Sequence, residues 1–311
     1  MKVLVLGGDG FLGSHMVDRL MAADHEVTVF DRFPAGKARH LGPHGKGVRL
    51  IKGEFGATPE LVEALVGQDI IYHFIWTTTP GSSWGHPMTE IEGNLRPTLE
   101  FLNCAEKAGV RKIIFPSSGG AVYGSVNGDV PQTEDMPTNP STPYGVGKLA
   151  VEGFLRYFHE STGAACDIYR IGNAYGRGQP TRGSQGVVGI WLDRIRRGEP
   201  IEVFGGASPL RDYIYVEDIA TLMTFSLRDT EASGLFNLGT GRGVSPLDLV
   251  AIVRRVIPRS FGMVMNERRE FDGQSVILDG SRLLSQFPDF SITSLEDGIR
   301  ATWQAMGPNE S

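Results

Sequence analysis

Apolar runs that alternate with helical patterns through the first half of the chain predict an α/β fold built on a parallel, doubly wound sheet. Two local features sharpen that prediction. Glycines 7, 10 and 13 stand between the apolar run Lys2-Val3-Leu4-Val5-Leu6 and a helical pattern from Phe11 to Leu20. A second strand-like run, Glu26-Val27-Thr28-Val29-Phe30, ends in Asp31, eighteen residues after Gly13. Together these form a dinucleotide-binding unit. Gly7 permits the tight turn, Gly10 lets backbone approach a pyrophosphate, and Gly13 lets the helix pack on the strand. The helix N-terminus, at Phe11 and Leu12, faces the anion. The expected architecture is a Rossmann-type doubly wound parallel sheet with a smaller mixed α/β C-terminal lobe.

The elements follow in order. Residues 48–52 read as a third strand, and 59–65 as a short helix with apolar Leu61, Val62 and Leu65. Residues 69–74 read as a fourth strand buried on both faces. A helix over 90–109 carries Leu95, Leu99, Leu102 and Ala105 at helical spacing. A fifth strand spans 111–116, a long helix 142–162, and a sixth strand 165–170. Past Asn173 the pattern loosens. Residues 176–186 are polar and rich in Gly, Pro and Arg, the composition of a loop. A basic helix over 187–197, strand-like pieces at 201–204 and 235–238, and amphipathic helices at 246–256 and 294–306 complete the chain. The expected division is 1–175 for the dinucleotide-binding domain and 176–311 for the second lobe, with about 212–240 returning to the first.

Composition narrows the function. The net charge is −6, which disfavours nucleic acid or a membrane surface as partner. The 41 glycines fall mostly in strand-to-helix junctions and read as turn chemistry. Cys104 and Cys166 stand in no metal-ligand spacing and read as reduced core residues. No apolar run is long enough to span a bilayer, so a cytoplasmic enzyme is expected. Asp31 can hold both ribose hydroxyls of the adenosine and would repel a 2′-phosphate, which favours NAD. Arg32 beside it keeps NADP open.

The chemistry is expected at Pro143-Tyr144-Gly145-Val146-Gly147-Lys148. Ser141 or Thr142 can cap the helix, and Pro143 suits its first turn. Tyr144 and Lys148 are then four apart on one face. A free phenol is a poor base at neutral pH. A neighbouring ammonium and an oxidised nicotinamide would both favour the phenolate.

These motifs, with SSGGAVYG (117–124), RIGNAYGRGQ (170–179), RDYIYVEDIA (211–220), FNLGTG (236–241) and RREFD (268–272), resemble those of extended short-chain dehydrogenases/reductases of the NAD-dependent epimerase/dehydratase family, the UDP-glucose/UDP-galactose 4-epimerases in particular. The resemblance implies that Asp31 holds the NAD ribose and that Glu54, with Phe55 beside it, lies near adenine. It makes Tyr144 the general base and Lys148 the holder of the nicotinamide ribose. It puts Asn173, Arg211 and Arg269 on a sugar diphosphate and Asp272 on a nucleotide ribose. A planar guanidinium suits a diphosphate, although Arg211 could instead pair with Asp212 or Asp218, and Arg269 could sit in a solvated charge cluster. Val276 falls where related epimerases limit room for an N-acetyl group.

Two positions depart from the family pattern. Gly119 stands where a Ser or Thr usually bonds the sugar 4-oxygen, which leaves Ser118, Ser117, Thr78 or a water, with Ser118 and Thr78 ranked first. The fourth-strand histidine is followed by Ile75-Trp76 rather than two small residues, and Trp76 suits either the pocket or the core. Gly120-Ala121 occupies the positions where related dehydratases and decarboxylases carry acid/base residues. Their absence leaves oxidation at C4 and its reversal. The expected function is an NAD-dependent nucleotide-sugar 4-epimerase, UDP-hexose first, acting through a 4-keto sugar that rotates and is reduced again. A nucleotide-sugar 4-ketoreductase using NAD(P)H is the nearest alternative, and a non-catalytic NAD(P)-sensing protein a remote one. The apolar faces of helices 90–109 and 143–162 resemble those that form a four-helix bundle between two copies, which implies a homodimer.

Overall fold

Strand β1 (Lys2–Leu6) points Val3 and Val5 to one face and Leu4 and Leu6 to the other, all fully buried. Period-two alternation with apolar side chains on both faces places a strand in the middle of a sheet covered on two sides. The computed structural model describes residues 1–34, 40–41, 47–124, 130–183, 185–269, 272 and 275–307. It places β1 between β2 (Glu26–Asp31) and β4 (Ile70–His73), with β3 (Arg49–Lys52) at one edge beyond β2. On the other side follow β5 (Lys112–Ser118), β6 (Ala165–Ile171) and, later in sequence, β10 (Gly234–Leu238). The order is β10-β6-β5-β4-β1-β2-β3, and every pairing is parallel. The chain reverses its direction of winding between β1 and β4, which opens a crevice at the carboxyl ends of the strands.

Helices cover both faces. Helix α1 (Phe11–Ala22) and the later α9 (Val216–Met223) pack with Val3, Val5, Val27 and Tyr72. On the opposite face lie α2 (Pro59–Leu65), α5 (Arg96–Ala108) and α7 (Pro143–Thr162), against Leu4, Leu6, Ile113 and Phe115. Short helical turns α3 (Pro80–Ser83), α4 (Met88–Glu90) and α6 (Gly119–Val122) follow strand ends.

The single helix expected over 90–109 is broken. A π-helical turn at Ile91–Leu95 separates α4 from α5. Pro97 has no N–H to bond the Gly93 carbonyl. The Thr77 hydroxyl donates to that carbonyl instead, at 3.4 Å. At its other end α5 stops as expected, on Gly109 in the left-handed conformation (φ 68°).

Beyond β6 the chain builds a smaller lobe. Strand β7 (Asn173–Tyr175) pairs in parallel with β9 (Arg211–Tyr215), which pairs antiparallel with β11 (Gly243–Val244). Strand β8 (Ile201–Phe204) pairs with β12 (Met263–Asn266). Helices α8 (Val187–Arg197), α10 (Pro246–Val256) and α12 (Leu295–Ala305) close a separate core around Trp191, Val203, Leu249 and Ile299. The turn α11 (Ser281–Leu284) packs beside β10. Strands β7, β9, β11 and β12 are not among the elements that the sequence pattern predicts. Among the described residues no helix is long and apolar enough to cross a membrane, and both cysteines are unpaired.

Candidate active site

The turn between β1 and α1 is shaped by glycines. Gly7 has φ +76°, and a Cβ on Gly13 would stand 2.2 Å from the Gly7 carbonyl oxygen. A side chain there would push α1 off β1. The N-cap of α1 is Gly10, and no side chain caps the helix. Its first N–H groups therefore face the crevice, the arrangement that suits a pyrophosphate. Asp31 ends β2 half-buried. Its carboxylate accepts the backbone N–H of Asp9 at 3.0 Å and of Arg32 at 2.7 Å. Those bonds tie the carboxylate to the glycine turn and leave lone pairs for ribose hydroxyls. Glu54 is exposed just after β3, and Phe55 packs between His73 and Phe101. These residues fit a dinucleotide with unphosphorylated ribose, and they meet along one edge of the sheet.

Helix α7 presents the two residues expected to handle the proton, Tyr144 and Lys148. Thr142 is its N-cap and accepts the Gly145 N–H at 3.1 Å, with Pro143 at the first position. Two glycines let α7 sit close. A Cβ on Gly145 would stand 2.6 Å from the Ala121 carbonyl oxygen, and one on Gly147 3.0 Å from Glu90 Oε2. Tyr144 and Lys148 follow one turn apart. Lys148 is buried; its Nζ donates to the Pro116 carbonyl at 2.9 Å and lies 3.9 Å from the centre of the Trp76 ring. It stands 5.9 Å from the centre of the Tyr144 ring.

The electrostatics differ from the expectation. Lys148 was expected to make the phenol acidic. Instead, burial pushes Tyr144 up to about 12, the Ser118 hydroxyl bonded to it pulls downward, and Glu90 adds to the rise. Burial also pushes Lys148 down to about 7, against the upward pull of Glu90 and Glu152. Helical spacing showed that the two residues share a face. It carried no information about how dry that face is, and desolvation opposes the charged form of each group.

Ser118 and Thr78, ranked together for the role that Gly119 cannot fill, have different surroundings. Ser118 lines a cavity of about 220 Å³, and its hydroxyl favours the phenolate of Tyr144. Thr78 donates its hydroxyl proton to Glu90 Oε1 at 2.5 Å, and its oxygen accepts from Asn94 Nδ2 at 2.9 Å. Thr78 is thus engaged away from the cavity wall. Ser117 likewise donates to Glu152 at 2.5 Å, and Arg170 forms a fork on the same carboxylate. Gly119 is glycine because Leu278 fills its side-chain space: a Cβ there would lie 2.5 Å from Leu278 Cδ1. Trp76 belongs to both candidate places. It packs on the core and meets Tyr144 edge-on, with ring centres 6.1 Å apart.

The cavity runs from Ser118, Ala121 and Thr142 to Asn173, Arg211 and Arg269. Asn173 opens β7 and donates to the Asp212 carbonyl at 3.3 Å. Arg211 opens β9; burial lowers its guanidinium pKa, and Tyr213 and Asp272 oppose that. Asp212 is turned away, accepting from Thr240, Gly241 and Leu278, while Asp218 accepts from Thr293. Neither aspartate has turned to Arg211. Arg269 lies over the Phe204 ring at 4.6 Å and forks onto Asp272 with two 3.0 Å bonds. Glu270 and Phe271 of the same motif lie outside the described residues. Val276 is buried with Val122, Tyr123 and Leu278 and is absent from the cavity wall. Its backbone N–H donates to the Leu210 carbonyl, in an isolated bridge beside Arg211.

The sequence reading missed Glu90, Asn94, Glu152 and His73. All four are buried polar groups next to Lys148 or its partners. The signal available was polar residues at otherwise apolar helix positions: Glu152 falls one residue after Val151 and three before Leu155.

Residues 3–239 match the NAD dependent epimerase/dehydratase family. A UDP-glucose 4-epimerase from Mycolicibacterium smegmatis is 32% identical over 253 residues, covering 80% of each chain. The Thermus thermophilus UDP-glucose 4-epimerase, solved in complex with NAD, superposes with a TM-score of 0.89 at 30% identity over 99% of both chains. The Thermotoga maritima UDP-glucose 4-epimerase, solved with UDP-glucose, gives 0.90 at 30% identity over 98% of both. The parallel doubly wound sheet agrees with these solved structures, and the chain belongs to the NAD dependent epimerase/dehydratase family.

Proposed function

We infer that the protein is an NAD-dependent nucleotide-sugar 4-epimerase, with a UDP-hexose as substrate. The observation that carries this reading is the cavity itself. Ser118 stands at one end of it, and two arginines stand at the other. The similar proteins solved with NAD and with UDP-glucose support the same pairing of cofactor and substrate.

The residues divide the work by place. Gly7, Gly10 and the first turn of α1, Phe11 and Leu12, hold the pyrophosphate of NAD; Asp31 holds its ribose, and Arg32, Glu54 and Phe55 border the adenosine end. Bound NAD supplies a hydride acceptor that becomes the donor for the return step. Arg211 and Arg269 grip the sugar diphosphate, Asn173 bonds it, and Asp272 orients Arg269 and the nucleotide ribose. Tyr144 takes the proton of the 4-hydroxyl and later returns it. Ser118 donates to the same oxygen and steadies the charge it acquires. Lys148 holds the nicotinamide ribose. Gly120 and Ala121 present no acid or base near C6, so the 4-keto sugar is not drawn into elimination. On this reading residues 1–175, joined by β10, form the cofactor half, and 176–311 the sugar half.

The test is direct. Purified protein incubated with UDP-glucose, then with UDP-galactose, is followed by anomeric proton NMR. Interconversion without added cofactor is expected. Failure with every nucleotide hexose, or consumption of NADPH one-for-one with product, overturns the reading.

Two further proposals accompany it. Val146, Phe154 and Tyr157 form an exposed stripe on α7, Tyr157 at 69%, and Met88 and Ile91 are exposed on the adjoining segment. Large apolar side chains in a row on two neighbouring helices suit a second copy of the chain, giving a homodimer through a four-helix bundle. The unpaired cysteines and the cofactor and nucleotide-sugar chemistry suit the cytoplasm.

A further inference from the structure

Trp76 follows the end of β4 and is half-buried against the core. Its indole lies against α7 between the two residues of the Tyr144–Lys148 pair. A Cβ on Gly147 would stand 3.3 Å from Trp76 Cζ2, so the glycine leaves the room that the ring takes. The indole meets Tyr144 edge-on, with ring centres 6.1 Å apart. Its face carries Lys148. The Lys148 Nζ stands 3.9 Å from the centre of the Trp76 ring, 4.6 Å from that of Phe115 and 5.9 Å from that of Tyr144. The hydrogen bond of the ammonium goes to the Pro116 carbonyl at 2.9 Å, not to a carboxylate. A buried cation placed this way is held by the negative faces of the rings beside it.

We propose that Trp76 is a positioning residue for Lys148: its indole face, with the Phe115 ring and the Pro116 carbonyl, forms the seat that holds the side chain as an ammonium beside Tyr144. The inference rests on Lys148 serving the site as proposed above.

Packing alone would not select tryptophan at this place. The indole Nε1 is buried and has no hydrogen-bond partner among the described residues. An unpaired buried donor costs free energy that leucine or phenylalanine would avoid. What the indole adds is the aromatic face that attracts a cation most strongly. Lys148 has use for it, because burial pushes its ammonium down to about 7. The charged and titratable groups around Lys148 do not replace the seat. Glu90 of α4 and Glu152 of α7 favour the ammonium without bonding it. Glu90 takes its bonds from Thr78 and Asn94, and Glu152 from Ser117 and from Arg170 of β6. From β4, His73 is neutral, because burial pushes its imidazole down to about 3. Tyr144 is an uncharged phenol at neutral pH, its own value pushed up to about 12 by burial.

Fluorine gives the test, because it drains the negative face of an indole while nearly keeping its shape. The Lys148 midpoint is followed in the NAD-bound protein by NMR of the lysine ε-carbon, assigned by its loss in Lys148→Met. Trp76→Leu should lower that midpoint by about one pH unit. Monofluoro- and tetrafluorotryptophan at position 76 should lower it in two steps, the second as large as in Trp76→Leu. Entry of water would raise the midpoint instead, since hydration favours the ammonium. A midpoint that stays put or rises with tetrafluorotryptophan overturns the proposal. So does a fall in Trp76→Leu with none in the fluorinated proteins, which would be an effect of packing. The fluorinated proteins keep the question open to measurement should Trp76→Leu fail to fold. No readout needs substrate turnover, so failure of the epimerase assay and failure of this inference are separate results.

Discussion

Ser118 favours the phenolate of Tyr144, while burial and Glu90 oppose it. Ser118→Ala should therefore raise the phenol midpoint and lower kcat by about 10²-fold, as loss of one donor to a developing charge does. KM for the nucleotide sugar should change little, because the two arginines proposed to hold the diphosphate lie at the other end of the cavity. Steady-state kinetics across pH separates the two parameters. Tyr144→Phe should cost about 10²–10⁴-fold in kcat and leave the fold intact, since the ring keeps its edge contact with Trp76. His73 gives a prediction about stability. Its imidazole is buried, bonded to Thr98 at 3.2 Å, and titrates at about 3 against 6.5 when unfolded. Between those values the unfolded chain binds the extra proton, so stability falls as pH drops from 6.5 toward 3, by up to about 1.4 kcal/mol per pH unit. Chemical denaturation at a series of pH values should show that slope flattened in His73→Phe.

At the scale of elements, the site depends on how closely α7 and α1 approach their neighbours. Gly147→Ala would set a methyl group against Glu90 Oε2 and 3.3 Å from the Trp76 ring. Overpacking of that kind costs about 1–3 kcal/mol, and it would tilt the turn that carries Tyr144. The expected result is a larger loss in kcat than in melting temperature. Gly13→Ala is more severe, because the obstacle is the Gly7 carbonyl rather than a side chain. Retention of NAD through gel filtration should be lost in Gly13→Ala and kept in Gly147→Ala. Element boundaries also show what pattern can and cannot reveal. The 3.6-residue period of helix 90–109 was visible, yet the π turn at Ile91–Leu95 was not. The Thr77 hydroxyl, well before Ile91 in sequence, lies against that turn, within reach of Asn94 Oδ1 and of the Gly93 carbonyl that Pro97 leaves open.

For the molecule as a whole, two halves meet at the cavity, and neither builds it alone. Ser118 and Thr142 come from the large sheet and its helices, Arg211 and Arg269 from the smaller lobe. Arg211→Ala and Arg269→Ala should each raise KM for a nucleotide sugar about 10-fold or more while sparing NAD retention, as removal of a charge-assisted phosphate contact implies. The exposed stripe on α7 belongs to this scale too. Tyr157→Glu should shift the protein toward monomer in light scattering, with little change in unfolding of the single chain, because Tyr157 is 69% exposed within it.

The sequence by itself determined the sheet and its cofactor edge. Those rest on local rules: apolar runs of strand length, glycines at a fixed spacing, and a carboxylate at the end of β2. It also determined that Tyr144 and Lys148 share a helical face, because 3.6 residues per turn requires it. The tertiary structure decided the state of those groups. Burial pushes the phenol up and the ammonium down, and Glu90, brought alongside by a break in its own helix, acts on both. It also decided the surroundings of the candidate serine and threonine: Leu278, far downstream in the chain, fills the space at Gly119, while Thr78 is drawn to Glu90. Spacing along a chain sets direction. Desolvation and charge depend on which distant segments pack together, and that information is spread over the whole fold.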